Sequence, residues 1–311
     1  MSEHFANPLK GVILKILSVL LIVLMMTCVK SAGDVPLGEI MFFRAFLSVF
    51  PIIAVLQVRG KPRSALHTNR PLGHLLRTVV GLSSMGLVFF AIRMLPLPEA
   101  VTLQYTQPLL LVAFSAAFIG ERVGMSGWMA VLLGLVGVLV ITWPSLTVLS
   151  GSDSSSRLQL LGAAAAILAA ATYAWTVLLV RQLVKTESSE TIVMWFCIFS
   201  SLLLLSTSLF GWKTLSLEQT TLLVASGVLG GFGQLLMTES VRHAPVSTTA
   251  PLEYTSLVFV TLVAYVIFDD VRGLNTILGG LLVVLAGLLI IWRERRKEYA
   301  IKIDSKLAPP P

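Results

Sequence analysis

The sequence predicts an all-α integral membrane protein of ten transmembrane helices, built as two inverted five-helix repeats with the N- and C-termini cytoplasmic. Three observations lead there. First, only 13% of the 311 residues are Asp, Glu, Lys or Arg, 56% are hydrophobic, and the mean hydropathy is +0.87. A soluble domain carries about 25% charged residues, so this chain cannot cover a folded surface with polar groups, and lipid is the solvent that suits it. Second, the apolar residues fall into ten runs of about 20 residues, the length that crosses a bilayer. Third, the two halves of the chain repeat. The same composition excludes intrinsic disorder. The net charge of +7 does not point to nucleic acid, because the basic residues sit in short loops and in residues 293–311, where they orient a membrane protein.

In chain order, the first run, 11–30, is too long and lacks the small-residue cleavage site of a removable signal peptide; it carries Lys15. The second, 37–58, carries Arg44, and the third, 73–93, opens on His74 and Arg77. The fourth, 97–119, holds Gln104, Tyr105, Gln107 and Pro108, and the fifth is 125–143. Residues 1–143 thus form the first repeat, and 144–157 a polar periplasmic linker. The second repeat, 158–292, contains runs at 158–181, 191–210, 219–241, 246–268 and 274–292. A basic cytoplasmic tail, 293–311, closes the chain. With the N-terminus inside, fifteen Lys and Arg lie on the cytoplasmic side and five outside, while Lys15, Arg44 and Arg77 fall within spans. That bias sets the orientation. Cys28 and Cys197 each sit inside an apolar run and read as small hydrophobes.

The repeat is visible residue by residue. Ile92-Arg93-x-x-Pro96 returns as Val241-Arg242-x-x-Pro245, and Leu103-Gln104-Tyr105-Thr106 as Leu252-Glu253-Tyr254-Thr255. Gly81 matches Gly230 at the same offset of 149, while Glu39 matches Glu190 at 151. Five spans per half is an odd number, so the second half enters the membrane from the opposite side. Inverted repeats provide two equivalent packings around a site near the midplane, which argues for an alternating-access carrier.

On these residues the chain resembles the drug/metabolite transporter superfamily, in its EamA-type ten-helix branch. The resemblance covers about residues 10–292. It rests on Phe43-Arg44, on Pro96-x-x-Ala100, on the Gly120-Glu121 turn with Gly137 beyond it, and on Pro245; Asp269-Asp270 with Gly279 stands where the second Gly-Glu turn is expected. It implies a secondary carrier of small metabolites. Bacterial amino-acid exporters and uptake carriers for riboflavin and S-adenosylmethionine share this plan.

Ionisable groups inside spans are costly and need a reason. Glu253 lies about seven residues into the ninth run, roughly 10 Å along the axis, and no basic residue is near it in sequence. Thr249 and Ser256 share its face at i−4 and i+3. A carboxyl whose contact with water changes during a cycle can take up and release a proton, so Glu253 is expected both to touch substrate and to couple transport to protons. A protonated structural Glu is the competing reading. Gln104, its repeat partner, and Gln107 offer donors and acceptors without charge, and Pro108 leaves the Gln104 carbonyl without its helical donor; interhelical glue is the alternative. Tyr105, Tyr254 and Trp175, with Tyr173, are candidate aromatic walls, or else core and lipid contacts. Arg44 either holds an anionic group or pairs structurally. The expected substrate-binding set is therefore Gln104, Tyr105, Gln107, Glu253, Tyr254, Trp175 and Arg44. Lys15, His74 and Arg77 are expected as interface anchors, and Glu239, beside Arg242, as a gate group. Gly227-x-x-x-Gly231 permits close helix approach.

No zinc helix, phosphate loop or nucleophile elbow occurs, and no cofactor, metal or nucleic-acid partner is expected. The reading is a non-enzymatic secondary active transporter of the inner membrane, whose partners are the lipid bilayer, a small-molecule substrate and protons. Uptake of a riboflavin-like vitamin is the specific expectation, from a pocket of amides, hydroxyls, aromatics and one acid. Export of amino acids, metabolites or drugs is the alternative. A non-transporting receptor and a carrier of lipid-linked substrates are the others.

Overall fold

A computed structural model describes residues 8–60, 64–94, 103–121, 123–142 and 156–268, with Leu278, Leu281, Leu282, Leu285 and Trp292 beyond them. The start of the fourth run, most of the tenth run and of the linker, and the tail lie outside the described residues; Ser156 and Arg157 of the expected linker already belong to helix. The helices are α1 (Pro8–Ser31), α2 (Leu37–Leu47), α3 (Val49–Val58), α4 (Pro71–Met94), α5 (Gln107–Phe114), α6 (Met125–Thr142), α7 (Ser156–Leu183), α8 (Ser189–Leu205), α9 (Leu217–His243), α10 (Val246–Thr249) and α11 (Thr255–Phe268). No strand occurs among the described residues. Five described stretches are long and apolar enough to cross a membrane: Pro8–Ser31, Leu37–Val58, Leu161–Leu183, Ser189–Phe210 and Leu217–His243. Met26, Phe50, Phe118 and Leu202 are all more than half exposed; so apolar an exterior suits hydrocarbon.

Three predicted runs are not continuous helices. The second breaks at Ser48 because Pro51 has no N–H to offer the carbonyl a turn earlier. At the break Ser48 Oγ lies within hydrogen-bond distance of the carbonyls of Arg44 (2.7 Å) and Gly227 (2.9 Å), which ties it to α9. The fourth is interrupted by a turn at Tyr105 and Thr106 before α5, and ends in a π turn, Ser115–Ile119, closed by Gly120 at φ +72°. The ninth is a turn of helix, α10, then a 3-10 segment, Ala250–Tyr254, then α11. At the offset of 149, the turn at Tyr105 and Thr106 corresponds to Tyr254 and Thr255, where the 3-10 segment passes into α11, so the two repeats interrupt their helix at equivalent positions.

Close packing follows the glycines. A Cβ on Gly227 would lie 2.4 Å from Leu47 Cβ, and one on Gly231 2.6 Å from Pro51 Cγ. This stripe seats α9 against the α2–α3 break. On its other side α9 packs antiparallel to α1, with Ser18 Oγ donating to the Gly233 carbonyl at 2.7 Å. Likewise α4 packs along α7, where Ser84 Oγ donates to the Ala169 carbonyl at 2.9 Å. Under the repeat α1 maps to α7 and α9 to α4, so each pair is the image of the other. The equivalent segments α2–α3 and α8 run antiparallel. Gly38, at the start of α2, abuts Thr207 just beyond α8, whereas Arg59, just beyond α3, pairs with Glu190 at the start of α8.

Carboxylates in the first turns of α2 and α8 complement their helix dipoles. Glu39, 2% exposed, accepts the Lys213 N–H at 3.1 Å. Lys213 Nζ also reaches Asp34 at 2.6 Å and holds that carboxyl below the usual carboxylate range. At the opposite end Glu187 accepts Thr68 Oγ1 (2.8 Å) and the Asn69 N–H (3.1 Å) beside the Arg59–Glu190 pair. Glu121 accepts the N–H groups of Val246 (3.1 Å) and Ser247 (3.0 Å), tying the turn after the π segment to α10.

Candidate functional site

Glu253 sits on the 3-10 segment between α10 and α11, where the interrupted helix turns its carboxyl inward. It is not isolated. Lys15 Nζ forms an ion pair with its Oε1, and Tyr173 Oη donates to the same oxygen at 2.7 Å. Lys15 is therefore no interface anchor: it is 3% exposed. The reason lies in α1, where Gly11, Lys15 and Ser18 share one face, and that small, polar face is turned to protein. His74 (0% exposed) and Arg77 (2%) correct the anchor expectation in the same way. Residues 64–70 and α8 cover the first turns of α4, so His74 Nε2 meets Thr68 Oγ1 at 3.0 Å and its ring stacks on Trp195. The Arg77 guanidinium lies 4.0 Å over the Phe196 ring.

The repeat-related tyrosines come together. The Tyr105 and Tyr254 rings are 6.2 Å apart, and Tyr105 Oη lies 3.3 Å from Ser256 Oγ, one turn beyond Glu253. Tyr254 is fully buried, its hydroxyl has no hydrogen-bond partner among the described residues, and its ring fills the space left by Gly134. Gln104 and Gln107 are half-buried beside this pair in sequence, and neither side chain hydrogen-bonds a described residue. Trp175 lies apart. Two residues after Tyr173 on a helix means the opposite face, and there it packs edge-on against Phe114 and Phe118 and is 37% exposed.

Arg44 lines a small cleft of ≈ 30 Å³ between α2, α4, α8 and α9, with Met85, Phe196, Ser200 and Gln234 among its walls. Among the described residues its polar contact is Met85 Sδ, 4.0 Å from Nη1. Phe196, in the wall of this cleft, carries Arg77 over its ring. Glu239 does pair with Arg242, at 3.4 Å, and accepts from Ser189. Ser200 and Gln234 escaped the sequence reading, which took Arg77 as an interface anchor. The signal for Ser200 and Gln234 was their place opposite Arg44, which only packing reveals.

The EamA-like transporter family matches residues 9–143 and again 160–292. The chain belongs to that family. It is a multi-pass protein of the inner, or plasma, membrane, of transporter type. It is 25% identical over 258 residues to the S-adenosylmethionine uptake transporter of Rickettsia prowazekii, covering 83% of this chain and 84% of that one. The pseudopaline exporter CntI of Pseudomonas aeruginosa is 28% identical over 281 residues (89% and 94%), and the riboflavin transporter of Rhizobium johnstonii 26% over 261 (82% and 80%). A solved crystal structure superposes with a TM-score of 0.79 over 93% of this chain and 98% of that one, at 21% identity; this likeness establishes the fold.

Proposed function

We propose that the protein is a secondary active carrier that moves a small metabolite by alternating access between two inverted halves. In this reading there are ten spans, cytoplasmic termini and a periplasmic linker at 144–157. The observation that carries it is the paired interruption: both repeats break their helix at equivalent positions, and there Glu253 meets Lys15, Tyr173 and the Tyr105–Tyr254 pair. Interrupted helices with ionisable groups between inverted halves are how such carriers build a binding site inside lipid. The site holds and releases a substrate without altering it.

Glu253 is the proton-exchanging group in this reading. Its partners Lys15 and Tyr173 come from α1 and α7, which are repeat images of one another. A rocking motion that separates them changes the carboxyl's surroundings and hence its proton affinity. The two tyrosines and the glutamine amides suit a flat heteroaromatic rich in hydrogen-bonding groups, so riboflavin-like uptake stands as one substrate reading. The unpaired cation Arg44 favours the other, a carboxylate-bearing metabolite of the amino-acid type. Purified protein in liposomes tests the function: counterflow of riboflavin or S-adenosylmethionine, stimulated by an imposed pH gradient, is the expected result. Binding with no flux under any gradient would mark a receptor instead.

A further inference from the structure

Resting on that carrier reading, we infer that the cleft at Arg44 holds a carboxylate of the substrate. A guanidinium stays charged in any protein environment, and a buried charge without a partner is among the costliest features a fold can carry. Yet neither Arg44 nor Arg77 has a carboxylate within ion-pair distance among the described residues. Arg44 meets only a thioether. Arg77 lies on Phe196, with Nε and Nη1 buried and without hydrogen-bond partners. Glu253 is engaged by Lys15 and Tyr173. The interior therefore carries two positive charges that the described side chains leave unmatched.

The cleft is also furnished for an oxyanion. Ser200 is 1% exposed, lines the cleft, and its hydroxyl has no partner among the described residues. Gln234 faces the same space from α9, adding an amide donor. Phe196 forms part of the wall and carries Arg77 against it, so one guanidinium meets the ligand directly while the second adds positive potential behind the ring. A single guanidinium fork matches the two oxygens of one carboxylate. A phosphate dianion would call for both forks at the surface. The site thus selects a metabolite bearing one carboxylate over an uncharged one.

The test uses purified full-length protein and two matched probe pairs: S-adenosylmethionine with its decarboxylated form, and L-methionine with L-methioninamide. Calorimetric titration is expected to show the carboxylate-bearing member of a pair binding tighter by roughly 10- to 150-fold, the weight of a charge-assisted hydrogen bond. Arg44→Gln should abolish that preference, Arg44→Lys should keep part of it, and Ser200→Ala should weaken it. Equal binding within each pair, no binding of either carboxylate probe, riboflavin binding unaffected by Arg44→Gln, or inorganic phosphate displacing the probes better than acetate would each overturn the inference. Where Arg44→Gln is not monodisperse, the Arg44→Lys titration and acetate competition on the parent decide. The carrier reading fails separately: Arg44-dependent binding without flux in liposomes upholds the anion site and refutes transport, whereas riboflavin flux indifferent to Arg44 does the reverse.

Discussion

Lys15 and Glu253, 238 residues apart in sequence, form an ion pair across the two halves of the molecule, with side chains only 4% and 19% exposed. The pair neutralises two charges that neither half could hold alone in an apolar interior. It joins α1 to the 3-10 segment, with Tyr173 of α7 as a third member.

Breaking that pair from one side should cost more than removing it. Glu253→Gln leaves Lys15 charged and buried, and the expected loss is about 3–5 kcal/mol. The double variant Lys15→Met with Glu253→Gln should recover most of it. Melting of the detergent-purified proteins in a double-mutant cycle measures this; strictly additive losses would show that the two side chains do not act as a pair.

Coupling should follow the same carboxyl. Lys15→Met with Glu253→Gln, which removes the charge without stranding its partner, is expected to keep downhill exchange of a transported substrate and to lose accumulation driven by a pH gradient. Accumulation in proteoliposomes, with and without the gradient, is the measurement. Parent-like accumulation by the double variant would move proton exchange elsewhere.

Tyr254 separates packing from binding. Its hydroxyl is buried without a partner, so Tyr254→Phe should leave stability unchanged or raise it by about 1 kcal/mol, within the desolvation cost of an unsatisfied polar group. If the hydroxyl contacts substrate, affinity falls by about 5- to 150-fold, the equivalent of 1–3 kcal/mol. Unchanged affinity together with unchanged melting would assign the ring to packing alone.

Gly134 is the counterpart of that ring. A Cβ there would lie 2.2 Å from Tyr254 Cδ2. Gly134→Ala should destabilise by about 1–3 kcal/mol, the usual cost of overpacking, and Tyr254→Ala in the same chain should relieve it. A Gly134→Ala protein that melts like the parent would show that Tyr254 can move aside.

Topology has its own test. Reporters in the 59–71 loop and in the tail after Trp292 should be cytoplasmic, and one in the 144–157 linker periplasmic. Tail and linker on one side would overturn the inverted ten-span arrangement.

Much of this was legible in the sequence because lipid imposes few solutions. The helical class, the positions of the described spans and the repeat follow from composition and spacing, and so does the interest of Glu253, an acid in an apolar run. What escaped depended on facing. Lys15 and Glu253 are far apart in sequence, so no local rule pairs them. The burial of His74 and Arg77 comes from neighbours that cover the start of α4. Trp175 shares a helix with Tyr173 yet faces away from it, a consequence of the helical repeat that an aromatic count ignores. The breaks in the second, fourth and ninth runs were only partly signalled, by Pro51, Pro108 and Pro251, because a proline shows where a donor is missing and not which neighbour takes up the freed carbonyl.

The first-turn carboxylates of α2 and α8 act as catches mounted at opposite ends of the bundle, each gripping a loop that belongs to the other half. Opening one end requires releasing only its own catch, so the molecule can undo one while the other stays fastened. The two catches are of like build. At the Glu39 end Glu39 holds the Lys213 N–H, Lys213 Nζ pairs with Asp34, and Gln219 Nε2 donates to the Ala32 carbonyl. At the Glu190 end Arg59 pairs with Glu190, and Glu187 holds Thr68 and the Asn69 N–H. With neither end fastened more heavily, the catches themselves set no resting direction, and which one opens is expected to follow from the ligand and the gradient.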